Sequence, residues 1–199
     1  MSSFEEFAAL LRKKTESFLR LEDPQIRALH AHYQMLLRWN RTINLTRIES
    51  LDEAVERHYG ESLFLASHLA PVVGSVVDYG SGAGFPGFPV AVARPDVQVL
   101  LAEVDQRKAA FLRESRDFAA NVSVQAVRTE QLPGEYDVLV CRAVKPVEVI
   151  KAARRLARSV ALLIADEDAA RIKLERCRCI PLPFRRGGVL FLADVPRGT

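Results

Sequence analysis

One short run of the chain carries residue types arranged for chemistry: Val76-Val77-Asp78-Tyr79-Gly80-Ser81-Gly82-Ala83-Gly84-Phe85-Pro86-Gly87. An apolar β-rich stretch leads in, and a helical stretch follows. Glycines at such spacing let the backbone turn tightly and let a ligand approach the main chain. The start of the following helix leaves N–H groups free for a polar or anionic partner. In an open α/β sheet, ligands bind beyond the carboxyl ends of the strands. Glu103 ends a second β run, 19 residues after Gly84. An acid there can accept two hydrogen bonds from ribose hydroxyls. A tight turn alone would explain the glycines, and a solvated strand end would explain Glu103. The ordered series of strand, glycine loop, helix, strand and acid favours a nucleotide-type ligand.

Two templates fit the loop. Gly82-x-Gly84-x-x-Gly87 matches the dinucleotide fingerprint. Asp78-x-Gly80-x-Gly82-x-Gly84 matches the acid-then-glycines loop of S-adenosylmethionine-dependent methyltransferases. Asp78 discriminates between them. A carboxylate before the first glycine suits a ligand carrying a sulfonium and an amino group, and it repels a pyrophosphate. The methyl donor is therefore favoured. A nicotinamide dinucleotide oxidoreductase stays open as a second reading.

The surrounding pattern supplies the elements that must position this loop. The first 70 residues or so have helical spacing, with Phe4, Phe7, Ala8, Leu11 and Phe18, then Ile26, Leu29, Tyr33, Leu36 and Leu37. Asp23-Pro24 marks a helix start, with Asp as cap. A third helical stretch runs from Leu51 to Leu69. After Gly74 the pattern changes. Strands are predicted at Ser75–Tyr79, Val97–Glu103, Val122–Val127, Tyr136–Cys141 and Val160–Ala165, and helices at Pro86–Arg94, Asp105–Ala119 and Pro146–Ala157. This alternation implies a parallel sheet with right-handed crossovers. Cys177–Phe184 and Gly188–Val195, separated by Arg185-Arg186-Gly187, predict an antiparallel hairpin at one sheet edge. The expected division is a helical cap over 1–72 and a Rossmann-like α/β domain over 73–199, packed as one unit.

Four segments in order carry a more specific resemblance: Trp39-Asn40-Arg41-Thr42-Ile43-Asn44-Leu45-Thr46, Arg57-His58, the glycine loop through Phe85-Pro86-Gly87, and Arg142-Ala143. Together they resemble the bacterial glucose-inhibited division protein B (GidB) family, over roughly Leu36 to Val195. That resemblance implies a class I methyltransferase fold, with a mostly parallel seven-stranded sheet and N-terminal helices. It implies S-adenosylmethionine-dependent methylation of a guanine N7 in 16S ribosomal RNA. It assigns donor contacts to Gly80 and Phe85 and to Thr129-Glu130 after the third strand, and it places Arg142 among the ligand-site residues. With the template residues, the expected cofactor-binding set is Asp78, Gly80, Gly82, Gly84, Phe85, Glu103, Thr129, Glu130 and Arg142. The chain departs from the family pattern twice. His58-Tyr59-Gly60-Glu61-Ser62 has Glu where the family has Asp. Leu163-Ile164-Ala165-Asp166-Glu167-Asp168 lacks the family's Lys-Gly after the fifth strand. The second departure keeps open a non-catalytic module that binds the donor and an RNA or protein partner.

Methyl transfer to N7 needs no general base, because the acceptor already carries a lone pair. Arg142 is then the candidate catalytic residue, orienting a phosphate, a donor carboxylate or a base edge with its planar fork. The bland alternative is a surface arginine paired with an acid. Cys141 reads as a small buried hydrophobe rather than a nucleophile. Cys177 and Cys179 face one side of a strand without a second ligand pair, so zinc is not expected. His30 and His32 cannot share a helix face and are expected to be exposed. His58 reads as a packing histidine that bridges the cap and the glycine loop. Asn40 and Asn44 are expected to hold the helix-end turn by side-chain to backbone bonds, and Trp39 to sit in the core. Phe85 either packs on the donor or anchors the next helix.

The remaining constraints come from composition. The chain has 199 residues, 49% hydrophobic and 27% charged, with net charge +3, which is an ordinary globular composition and not that of a disordered chain. No apolar run approaches the roughly 18 residues of a membrane span. Three cysteines and a charged N-terminal stretch point to a reducing setting. A cytoplasmic monomer is expected, with 16S ribosomal RNA or the small ribosomal subunit as partner and neither metal nor membrane. The net charge hides two clusters. Arg142 to Arg158 and Arg171 to Arg186 each carry +5, leaving −7 elsewhere. Such a patch suits phosphates, although a solvated helix face explains it almost as well.

Overall fold

The computed structural model describes residues 3–48, 50–128 and 131–196. Helix α1 spans Phe4–Thr15 and is capped by the Ser3 hydroxyl, which accepts from the Glu6 N–H at 3.1 Å. Helix α2 spans Asp23–Trp39. Its cap is Glu22 and not Asp23, because the Gln25 side chain reaches back to accept the Glu22 N–H at 2.9 Å and draws Asp23 into the first turn. The third helical stretch is continuous but changes winding. Helix α3 (Leu51–Glu53) passes into a π-helical segment, Ala54–Gly60, and then into α4 (Glu61–Ser67).

The α/β part follows as β1 (Ser75–Tyr79), α5 (Gly87–Ala93), β2 (Gln98–Ala102), α6 (Gln106–Ser115), β3 (Val122–Gln125), β4 (Tyr136–Arg142), α7 (Pro146–Leu156), β5 (Ala157–Ala165), α8 (Asp166–Ala169), β6 (Cys177–Pro181) and β7 (Gly188–Asp194). The strands form one seven-stranded sheet in the order β3-β2-β1-β4-β5-β7-β6. The first five strands pair parallel, and β7 pairs antiparallel with both β5 and β6. The expected terminal hairpin is therefore present, with β6 at the edge. Its first strand stops at Pro181 rather than Phe184, since Pro181 and Pro183 cannot donate to a ladder. Strand β5 begins at Ala157, three residues earlier than expected, directly where α7 ends.

Alternation along the strands sorts the core into two layers. Val76 of β1, Val138 and Val140 of β4, and Ala161 and Leu163 of β5 face a cluster shared with α1, α2, α4, α5 and α6. Val77, Leu139, Cys141, Val160 and Leu162 face the other cluster, under α7 and α8. The N-terminal helices thus share one hydrophobic core with one sheet face. At the far end of the strands, Asp137 of β4 accepts from Gly74 N, Ser75 N and Ser75 Oγ at 2.9–3.0 Å. These bonds, the Gly74 N–H foremost, hold the Asp137 carboxyl below its usual range. This latch ties β1 to β4 at the end opposite the glycine loop.

Candidate active site

The period of two places the strand-end groups. Asp78 points to the same face as Val76, and Arg142 to the same face as Val138 and Val140. That face is covered by α4 to α6 and by the π-helical segment, so Asp78 runs into a helix start away from solvent, and Arg142, half-buried, runs into the π-helical segment at the edge of a cavity.

The glycine loop is set by backbone geometry. Gly80, Gly82 and Gly84 have φ of 69°, 57° and 86°, in the region that favours glycine. The N–H groups of Gly80 and Ser81 both donate to Ala102 O at 3.0 Å, folding the loop over the end of β2. A Cβ on Gly82 would meet only Gly80 O, at 3.9 Å, so the space over the loop is open. Gly87 is required for a different reason. A Cβ there would lie 2.5 Å from Leu101 Cδ2 and 2.7 Å from the Asp78 carboxylate.

Asp78 is fully buried, and its Oδ2 accepts the Gly87 N–H at 2.9 Å, tying strand end to helix start across the loop. Its Oδ1 has no partner among the described residues. Burial pushes the carboxyl up to about 7, although the Gly87 N–H and the charge of Arg142 pull the other way. Glu103 is also buried. Its two oxygens accept from Gly82 N and from Asp105 N, each at 2.9 Å. The acid therefore braces the loop, with lone pairs remaining on each oxygen. Thr129 and Glu130 lie outside the described residues.

Phe85 is the hinge of the site. His58 stacks on its ring at 4.4 Å and 9°, while His32 and Tyr59 approach edge-on at 5.4 and 5.2 Å. The Arg142 guanidinium carbon lies 5.6 Å from the ring centroid. Arg142 Nη1 donates to Arg57 O, and Nη2 donates to His58 Nδ1 at 2.6 Å. A guanidinium only donates, so His58 Nδ1 accepts and Nε2 carries the proton, which it donates to Thr46 Oγ1 at 2.8 Å. Asn40 fixes Thr46 in turn. Its Oδ1 accepts from Leu45 N and Thr46 N at 2.8 and 3.0 Å, and its Nδ2 donates to Thr46 O at 2.9 Å. Asn40 thus holds the turn as expected, while Asn44 makes no side-chain hydrogen bond among the described residues. Burial first, then the charge of Arg142, drives His58 down to about 2, so it is neutral. His58 is the bridge between cap and loop.

His32 corrects an expectation. It is buried, not exposed. It stacks on Phe88 at 4.2 Å and bonds Tyr59 Oη through Nδ1 at 2.9 Å, and burial lowers it to about 3. Tyr59, Phe85, Phe88, Phe111 and the loop residues Ala83 and Gly84 make that niche, and no residue next to His32 in sequence reveals it. His30 is half-buried against Phe4 and Phe7. Trp39 is half-buried beside Phe111, with its indole N–H on Glu114 at 2.8 Å. Cys141 is buried, and burial raises its thiol far out of the reactive range.

Beside Arg142 a cavity of about 460 Å³ opens at the ends of β4 and β5. Arg57, Glu61, Arg142, Lys145 and Arg185 line it. Glu61 is buried with Oε1 unpartnered among the described residues, and burial raises its carboxyl against the pull of Arg142, Arg185 and Arg57. Burial lowers the Arg142 guanidinium, which Glu61 opposes. Lys145 and Arg185 were not singled out from sequence as site residues. Arg185 arrives only because β7 returns antiparallel, with Gly188 opposite Ala165.

A sheet of this order with a glycine loop after β1 narrows the comparison with known proteins. The family model described as "GidB: rRNA small subunit methyltransferase G" matches residues 25–165. The chain belongs to the GidB family. Among curated relatives, a Ribosomal RNA small subunit methyltransferase G of Nitrosomonas europaea is 40% identical over 121 residues, 59% of this chain and 56% of that protein. One of Xylella fastidiosa is 38% identical over 156 residues, 76% of this chain and 73% of that protein. The chain thus spans little more than half of the Nitrosomonas protein that it matches. Solved structures agree on the fold. A predicted O-methyltransferase of Agrobacterium tumefaciens superposes with TM-score 0.58 at 19% identity, covering 67% of this chain and 80% of that one. Magnesium protoporphyrin IX methyltransferase of Synechocystis, solved with bound SAH, gives 0.53 at 15%, covering 89% and 100%. The GidB chain has the class I S-adenosylmethionine-dependent methyltransferase fold.

Proposed function

We propose that the chain transfers a methyl group from S-adenosylmethionine to N7 of a guanine in 16S ribosomal RNA, in the cytoplasm. One observation carries this reading: the unbroken contact from glycine loop to cavity, Phe85 to His58 at 4.4 Å and His58 to Arg142 at 2.6 Å. It joins a place for a donor to a place for an acceptor base.

The residues present fit the donor. The space over Gly82 is open, the loop lies between two strand-end acids, and Asp78 keeps an unpartnered oxygen. Asp78, Gly80, Gly82, Gly84, Phe85 and Glu103 would hold it. S-Adenosylmethionine supplies, when bound, a methyl group activated by its sulfonium. Guanine N7 brings a lone pair and no proton. The methyl carbon would pass to N7 as its bond to sulfur breaks, the electron pair leaving on sulfur, so the chain need supply no proton acceptor. The chain's task is position and electrostatics, worth up to ~7–11 kcal/mol in ideal cases. Arg142 is suited to it. Its bonds to Arg57 O and His58 use two of five N–H groups, and three remain for guanine O6 or a phosphate while N7 stays free. The cavity is within the ~300–1,000 Å³ range of small-ligand sites.

The test has two parts. S-Adenosylhomocysteine should bind in calorimetry and nicotinamide dinucleotides should not. Tritium from labelled S-adenosylmethionine should then enter unmodified small-subunit RNA at a guanine N7. Dinucleotide binding without S-adenosylhomocysteine binding would remove the reading. Donor binding without transfer to RNA or to a ribosomal particle would make the chain a non-catalytic binding module.

A further inference from the structure

A second depression of about 510 Å³ lies beside the cavity, between α7 and the segment after α8. Lys145, Pro146 and Asp168 line both, so the two hollows adjoin. Its rim carries Lys145, Lys151, Arg154, Arg171 and Lys173 against one acid, Asp168. Asp168 pairs with Arg171 at 3.4 Å, and the other four cations have no acidic partner among the described residues. Its floor is apolar, from Val147, Ile150 and Ile172. Val147 is 81% exposed, an unusual place for a valine. Helical spacing explains the layout. Val147, Ile150, Lys151 and Arg154 share the outer face of α7, while Val149, Ala153 and Leu156 are buried beneath.

We propose that this groove seats the single-stranded RNA next to the target nucleotide, with phosphates on the rim and a neighbouring base on the floor. The inference rests on the proposed function for the identity of the strand. Paired cations beside apolar side chains match the two halves of an unpaired nucleotide. A duplex keeps its bases stacked inside and would leave the floor bare. The neighbouring arginines sort accordingly. Arg155, next to Arg154, turns away and donates to Leu132 O at 3.0 Å, so it belongs to the scaffold and not to the rim.

The test is fluorescence anisotropy with a labelled 12-nucleotide single-stranded RNA containing one guanine, across a salt series. The variants are Lys151→Glu with Arg154→Glu and Lys173→Glu together, and Val147→Asp alone. All four positions are exposed, so the fold is spared. The triple variant should lose at least about tenfold in affinity, and its log–log salt slope should fall by about 0.7 for each phosphate it no longer neutralises. Val147→Asp should weaken the single strand and leave a blunt duplex unaffected. S-Adenosylhomocysteine affinity should not change in either. Unchanged RNA affinity and slope in the triple variant overturn the groove, whatever the donor does. Poly-glutamate peptide displacing RNA from wild type, with its own binding abolished in the triple variant, would overturn it in favour of an acidic protein partner. Groove-dependent RNA binding without S-adenosylhomocysteine binding would uphold the groove and sink the methyltransferase reading.

Discussion

His58 has no spare nitrogen: one ring atom accepts from Arg142 and the other faces Thr46. With both nitrogens engaged it has none free to carry a proton, and we propose that it aims Arg142. Arg142→Ala should therefore reduce methyl transfer by more than about tenfold while shifting the melting temperature less, since the arginine is half-buried and holds the scaffold by two hydrogen bonds and a contact with the Phe85 ring at the cavity edge. Equal activity and equal melting in that variant would contradict the assignment. The buried titratable groups make a second prediction. His32 and His58 sit far below their ordinary 6.5, so each supports folding above that value and loses its contribution as pH falls. By pH 5 each has given up about 2 kcal/mol. Asp78 has the opposite sign. Its carboxyl is raised from 3.8 to about 7, so its contribution is full at low pH and is lost as pH rises through 7. Going from pH 7 to 5 it returns about 2 kcal/mol. Denaturant titrations should show a steeper acid loss in Asp78→Asn than in wild type, and a shallower one would refute the buried-acid assignment. At this scale the sequence was readable where a residue type has one use, as with Gly80, Gly82 and Gly84. It was opaque for His32, whose niche is built from residues 27 to 79 positions away.

The helical stretch from Leu51 was legible as a helix and not as a change of winding. A π-helical segment resets the angular position of the residues that follow. Here it turns Arg57 O and His58 toward Arg142 and brings Glu61 into the cavity wall. Period-3.6 reasoning carries no signal for that. The loop-to-helix junction was more readable, since Phe85-Pro86-Gly87 stood out, but the reason for Gly87 lies across space in Leu101 and Asp78. Gly87→Ala should destabilise by about 1–3 kcal/mol, because a contact at 2.5 Å must be relieved by moving β2 or the Asp78 carboxylate. Chemical denaturation reads this directly. A neutral alanine there would mean that the helix start is not pressed against the sheet.

For the whole chain, strand alternation with helices was enough to foresee a parallel sheet with an antiparallel edge. That the N-terminal helices pack with it as one unit was expected, but which side chains join them was not legible, apart from His58. We propose that cap and sheet unfold as one unit, because one cluster runs from Phe7 and Leu29 through Phe88 to Val140 and Leu163. Trp39 is the sole tryptophan and sits between α2 and Phe111 of α6. Its fluorescence should therefore report the same unfolding midpoint as far-ultraviolet circular dichroism. Separate midpoints would show that the helices come off alone. The basic clusters were visible as counts, but only the placement of α7 beside the segment after α8 gathers Lys145, Lys151, Arg154, Arg171 and Lys173 around one groove, while Arg155 and Arg158 turn to Leu132 O and Asp137. One feature of that placement limits how this chain can vary. Helix α7 ends at Leu156 and β5 starts at Ala157, with no residue between them. Such a seam has no slack. One residue added or removed there would either rotate α7 against the sheet or exchange the two faces of β5, which is paired on both sides. Length changes should be rejected at this junction and accepted more readily in longer connections such as 143–145 or 170–176, a ranking that an insertion scan read by soluble yield would reveal.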